Sequence, residues 1–194
     1  MTSDVLVFDF FGVICSEIAP FWLARYLPVD EAARVKATVV HAADIGELSQ
    51  QDMFSQLGEI AHVSPKQVEE EWWSYVVIDR DVVEMIRKLK VDHTVALLTN
   101  APAEFVRAIL RKYELFPLFH AIVVSGEERC AKPDPIIYQR MLERLSVPAA
   151  QTVMIDDNPV NVKGAEAAGM NGLLFESSDQ LRSFLVDRHY LSGC

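Results

Sequence analysis

The chain has 194 residues, enough for one sizeable core or for a core domain with a small insertion. Hydrophobic residues make up 51% and charged residues 24%, which fits a soluble globular protein and argues against disorder. A formal net charge of −10 argues against nucleic acid or an anionic membrane as a partner, and any anionic substrate would need a metal or a local cation to offset it.

The first apolar run, Val5 to Phe8, reads as a strand buried on both faces. It delivers Asp9 to the strand's C-terminal edge, where open α/β sheets bind ligands, and Gly12 then permits a sharp turn. An acid so placed is a candidate nucleophile or metal ligand, although a strand-end aspartate also serves as a plain turn or helix cap. Residues 17–79 contain no convincing strand. Four helices are expected there: 17–27 stopped by Pro28, 31–43 after Asp30, 50–61 capped by Ser49, and 65–76 after Ser64. Aromatics crowd this stretch at Phe21, Trp22, Tyr26, Phe54, Trp72, Trp73 and Tyr75. They suit a small core of their own, and one or two are candidates for a substrate pocket.

Beyond a helix over 81–90, strands are expected at 94–99, 121–125, 152–155 and 172–175. Helices over 102–113, 134–145 and 159–168 separate them, the last closed by Gly169. This alternation indicates βαβ units with right-handed crossovers, so the C-terminal ends of the strands share one edge. The fold expected is α/β: a three-layer, Rossmann-like parallel sheet core formed by residues 1–16 and 80–194, with a four-helix cap at 17–79. Cys15, Cys130 and Cys194 cannot all pair and match no zinc spacing, so reduced thiols in a cytoplasmic protein are expected. The N-terminus shows no basic segment followed by an apolar one, and no apolar run approaches bilayer-spanning length.

Each strand end supplies chemistry. The second strand ends in Thr99-Asn100 just before Pro102, where a hydroxyl and free helix-start amides can bind an anion or simply cap the helix. Lys132 follows the third strand, flanked by Pro133 and Pro135. The fourth ends in Asp156-Asp157-Asn158-Pro159-Val160-Asn161. Adjacent carboxylates repel one another unless a cation neutralises them, and with Asp9 they form an oxygen set suited to Mg²⁺. The histidines form no metal-ligand spacing. Arg25 and Arg34 are the best cations of the helical stretch for a second acidic group on a substrate, with a solvated helix face as the plainer alternative.

In order and spacing, Asp9-Phe10-Phe11-Gly12-Val13, Thr99, Lys132-Pro133, and Asp156-Asp157 with Asn161 resemble the four motifs of the haloacid dehalogenase-like hydrolases. The resemblance spans nearly the whole chain and points to the sugar-phosphate phosphatases, including the α-glucose-1-phosphate type, and to the N-terminal phosphatase domain of epoxide hydrolases. Gly46-Glu47-Leu48-Ser49 and the surroundings of Trp73 also resemble that group.

The resemblance implies an Mg²⁺-dependent phosphomonoester hydrolase in which Asp9 forms an aspartyl-phosphate. It implies metal binding by Asp9, the Phe11 backbone carbonyl and Asp157, with Asp156 assisting. It further implies binding of the phosphoryl oxygens by Thr99, the Asn100 amide and Lys132, and an orienting role for Asn161. The chain departs from the pattern at Phe11, where most phosphatases of the group carry an acid that relays protons. Three readings stay open: a phosphatase that favours leaving groups needing little protonation, such as an anomeric sugar phosphate; a 2-haloacid dehalogenase, whose halide leaves without a proton; and a catalytically weak binding module. A monomer or homodimer acting on a small molecule is expected in each enzymatic case.

Overall fold

The computed structural model describes residues 5–192, so Cys194 lies outside the described residues. Its centre is a five-stranded parallel sheet in the order β3-β2-β1-β4-β5, formed by β1 (Val5–Phe8), β2 (Thr94–Thr99), β3 (Ala121–Val124), β4 (Thr152–Asp156) and β5 (Asn171–Leu174). β1 sits centrally because its short apolar run has both faces to bury. Leu6 and Phe8 enter one core, Val5 and Val7 the other, and none is more than 2% exposed. Burying each such side chain contributes roughly 1.5–3 kcal/mol. β4 includes Asp156, and β5 starts one residue earlier than its sequence pattern suggested.

Between β1 and β2 the chain is helical: α1 (Ala19–Tyr26), α2 (Val29–Val35), a π-helical turn at Lys36–Val40, α3 (His41–Asp44), α4 (Gln50–Ala61), α5 (Pro65–Ser74) and α6 (Arg80–Asp92). α4 has the expected bounds, its first turn capped by Ser49 accepting from the Asp52 amide. The helix expected over 31–43 instead starts at Val29 and widens into the π turn, which contains the β-branched run Thr38-Val39-Val40. α1 begins at Ala19 rather than at residue 17, with Pro20 in its first turn.

Further along lie α7 (Ala103–Lys112), the short α8 (Ser125–Glu128), α9 (Pro135–Leu145), α10 (Pro159–Ala167) and α11 (Ser178–Asp187). α6, α7 and α11 pack on the Leu6/Phe8 side of the sheet, and α9 and α10 cover the Val5/Val7 side, completing three layers. α11 has no counterpart in the sequence reading. It is anchored by Leu181 and Leu185, one helical turn apart and wholly buried, with Ser177 as its cap. Among the described residues no helix is long and apolar enough to cross a membrane.

Candidate active site

The strand order reverses direction at β1, so β1 and its neighbours β2 and β4 present their C-terminal ends around one crevice. Asp9 leaves β1 there, its amide continuing the ladder to the Ile155 carbonyl at 2.9 Å and its Oδ1 accepting from the Phe10 amide at 2.6 Å. Asp156 ends β4 alongside. Lys132 reaches in from the loop after α8, its side chain wholly buried, with Nζ 2.8 Å from Asp9 Oδ1 and 2.6 Å from Asp156 Oδ2. Burial disfavours the ammonium, yet the two carboxylates outweigh it and raise the Lys132 pKa, so the side chain is held as a cation. Burial also pushes the Asp9 carboxyl up, with Lys132 pulling the other way and Asp156 adding to the rise.

Asp156 is fully engaged. Asn161 Nδ2 donates to both its oxygens, at 3.0 and 3.2 Å, and the Asn158 amide donates to Oδ1 at 2.9 Å. Asp157 faces the cavity instead, and burial with Asp156 beside it raises its pKa. Carboxylate oxygens of Asp9, Asp156 and Asp157 lie within 4.8 Å of one another. Three carboxylates against one ammonium leave an excess of two negative charges in a buried place. That donor set fits a hard divalent cation. The fit is tightest at Gly12, where φ is +84° and a Cβ would stand 2.3 Å from Asp157 Oδ2.

Neither Thr99 nor Asn100 caps α7, whose cap position is Pro102. Thr99 is wholly buried at the end of β2, and its Oγ1 finds no hydrogen-bond partner among the described residues. The Asn100 side chain holds the backbone of Lys132 on both sides, donating to its carbonyl and accepting from its amide, each at 2.9 Å. The lysine loop is thereby tied to β2.

Above these groups lies a cavity of about 300 Å³. Asp9, Phe11, Lys132, Asp157 and Asn161 line its floor; Glu17, Lys36, Asp44 and Trp72 come from the helical stretch after β1, and Phe105 from α7. Residues 4–169 match the haloacid dehalogenase-like hydrolases. The chain belongs to that family.

A sesquiterpene phosphatase of Aspergillus oryzae is 32% identical to this hydrolase over 117 residues, 60% of this chain and 58% of that protein. A phosphoglycolate phosphatase of Aliivibrio fischeri is 30% identical over 90 residues, 46% of this chain and 40% of that one. A (S)-2-haloacid dehalogenase of a Pseudomonas species is 31% identical over 116 residues, 58% and 51% respectively. The chain thus spans about half the length of these relatives. A HAD family enzyme from Bacteroides thetaiotaomicron shares the fold with a TM-score of 0.77 at 21% identity, over 94% of this chain and 99% of that one. The same enzyme in complex with magnesium and inorganic phosphate gives 0.76 at 21% identity, over 92% and 98%.

The structure brings Asp9, Lys132, Asp156, Asp157 and Asn161 of this hydrolase together, as their motif spacing suggested. Arg25 and Arg34 take the plainer course of a solvated helix face. Arg25 lies near Glu71 at 3.9 Å, and the exposed Arg34 pairs with Glu31 one turn earlier at 3.4 Å. Neither lines the cavity; Lys36 at the start of the π turn does. Glu17 and Asp44 are equally new, and both have pKa values raised by burial, with Lys36 opposing the shift. Cys15 is buried, and desolvation pushes its thiol up to about 12, so it is no nucleophile.

Proposed function

We propose that this hydrolase is an Mg²⁺-dependent phosphomonoesterase acting on a small phosphometabolite through an aspartyl-phosphate on Asp9. The observation that carries the reading is the buried cluster of Asp9, Lys132, Asp156 and Asp157 at the end of the central strands. Mg²⁺ would be held by Asp9, the Phe11 carbonyl and Asp157, and would supply neutralisation of charge between carboxylate and phosphate. Asp156, occupied by Lys132 and Asn161, serves by orienting the lysine rather than as a direct ligand.

Asp9 attacks phosphorus while Lys132 and the Asn100 amide bind the phosphoryl oxygens, where charge sits in a loose transition state. The unpartnered Thr99 hydroxyl supports this, because a phosphoryl oxygen would give it the hydrogen bond it lacks. Residues 17–79 act as a cap over a core of 1–16 and 80–194, closing the cavity from above with Trp72 and Lys36 among its walls.

The second reading is a 2-haloacid dehalogenase, favoured by the aromatic Phe11 two residues after Asp9 and by the dehalogenase relative. One experiment separates them: a phosphometabolite panel assayed with and without Mg²⁺, beside Asp9→Asn. Metal-dependent phosphate release that vanishes in Asp9→Asn is expected. Metal-independent chloride release from 2-chloropropionate would replace the phosphatase with the dehalogenase.

A further inference from the structure

Six ionisable side chains line the cavity. The phosphatase reading uses Asp9, Lys132 and Asp157, which leaves Glu17, Lys36 and Asp44, all supplied by the helical stretch after β1. The position two residues after the nucleophile carries no acid: it is Phe11, whose ring packs edge-on to Phe10 at 5.0 Å. Glu17 lies within reach of the charges of Asp156, Asp157 and Lys132, whereas Asp44 has its backbone tied to the C-terminal edge of the sheet. Ser125 at the end of β3 donates its hydroxyl to the Asp44 carbonyl and accepts from the Ala101 amide at 2.9 Å, tying the residue to the ends of two strands. Two residues on, Gly46 (φ +70°) lies so close to the core that a Cβ would stand 2.4 Å from the Gly126 carbonyl.

Resting on the phosphatase reading, we propose that Asp44 is the catalytic acid and base of this hydrolase, working from the helical stretch in place of the residue that Phe11 replaces. As Asp9 Oδ bonds to phosphorus, the bond to the ester oxygen breaks and that oxygen takes the Asp44 proton. A water then returns a proton to the Asp44 carboxylate while its oxygen bonds to phosphorus. The Asp9–phosphorus bond breaks, phosphate leaves, and both side chains are restored. Burial pushes the Asp44 carboxyl up to about 7, with Glu17 adding and Lys36 opposing, so it holds a proton near neutrality where an ordinary aspartate does not. Asp9, Lys132 and Asp157 are the other charged groups that line the cavity.

The test compares wild type, Asp44→Asn and Glu17→Gln on 4-nitrophenyl phosphate, whose anion leaves unaided, and on a simple alkyl phosphate, whose oxygen needs a proton. Asp44→Asn is expected to lose about 10²–10⁴-fold in kcat on the alkyl ester. On the aryl ester it is expected to lose less than about tenfold, the aryl activity serving as the check on folding within the same preparation. The alkyl pH–rate profile should lose the limb that falls above about pH 7. Adding Phe11→Asp to Asp44→Asn should restore part of the alkyl activity. If the amide variant does not fold, Asp44→Ser is read in the same way. Equal losses on both esters, no loss, or a selective loss in Glu17→Gln instead would overturn the proposal while leaving the phosphatase standing. No phosphate release by wild type from either ester would overturn both.

Discussion

At φ +84° Gly12 occupies a backbone region that side chains avoid, and an added methyl would press directly on the Asp157 carboxylate. Gly12→Ala is therefore expected to displace the carboxylate that faces the cavity while leaving Asp9 and Lys132 paired. The concentration of Mg²⁺ needed for half-maximal phosphate release should rise about 10–100-fold, the range typical of disturbed metal-ligand positioning. A Mg²⁺ titration of activity checks it, and an unchanged requirement would mean that Asp157 does not hold the ion. Asp44 offers a second residue-scale expectation, on stability. Its pKa is raised from 3.8 to about 7 by burial, so between those values the folded protein binds the proton more tightly than the unfolded chain. Stability conferred by the group is thus present at low pH and lost as pH rises through the window, with the full penalty above about 7. Asp44→Asn should accordingly be more stable than wild type at pH 8, by on the order of 1–2 kcal/mol for a half-buried group, and equal to it near pH 4. Unfolding by denaturant at the two pH values checks the sign. A variant that gains stability while losing alkyl phosphatase activity would show the trade expected of a working acid.

Elements differ in how far the sequence alone defines them. The first four strands could be read because each is a short apolar run closed by a polar residue, and β2 has the bounds that its pattern indicates. α4 is equally clear, since Ser49 caps one end and the apolar spacing carries through to Ala61. α11 was missed because its buried face is two leucines, too few to stand out without the sheet they pack on. Lys36 carries no signal of its own for a related reason, since its place at the cavity depends on how the helical stretch docks over the sheet. Glu17 and Asp44 carry no local signal at all, because their place depends on contacts such as Ser125 with Asp44, 81 residues apart. Asn100 had a visible motif, but its side chain works elsewhere, as the clamp between the end of β2 and the loop bearing Lys132. Removing that clamp tests the coupling of the two elements. Asn100→Ala loses two hydrogen bonds to one residue's backbone and should cost roughly 1–3 kcal/mol, seen as a lower unfolding midpoint. Because the freed loop carries the buried ammonium, kcat should fall with it. A variant that unfolds earlier yet turns over normally would show that Lys132 is positioned by its carboxylate partners alone.

Over the whole molecule, the charge balance ties folding to metal binding. The chain carries −10 overall, and the cluster of Asp9, Asp156 and Asp157 against Lys132 concentrates two of those charges at the sheet edge. Self-repulsion of this kind works against the compact state, most strongly where solvent cannot screen it. An ion that binds only the folded cluster should therefore stabilise the protein by mass action, about 2.7 kcal/mol at a hundredfold excess over its Kd. For a chain of this length that corresponds to roughly 5–10 °C in Tm. Thermal unfolding in rising Mg²⁺, beside NaCl at matched ionic strength, distinguishes a site from general screening. Wild type should climb with Mg²⁺ and level off, whereas Asp157→Asn should start higher, having lost one of the repelling charges, and respond weakly. A NaCl series that reproduces the whole Mg²⁺ shift would reduce the cluster to a patch of screened charge, and Asp9 would then have no divalent partner to bring it to an anionic ester.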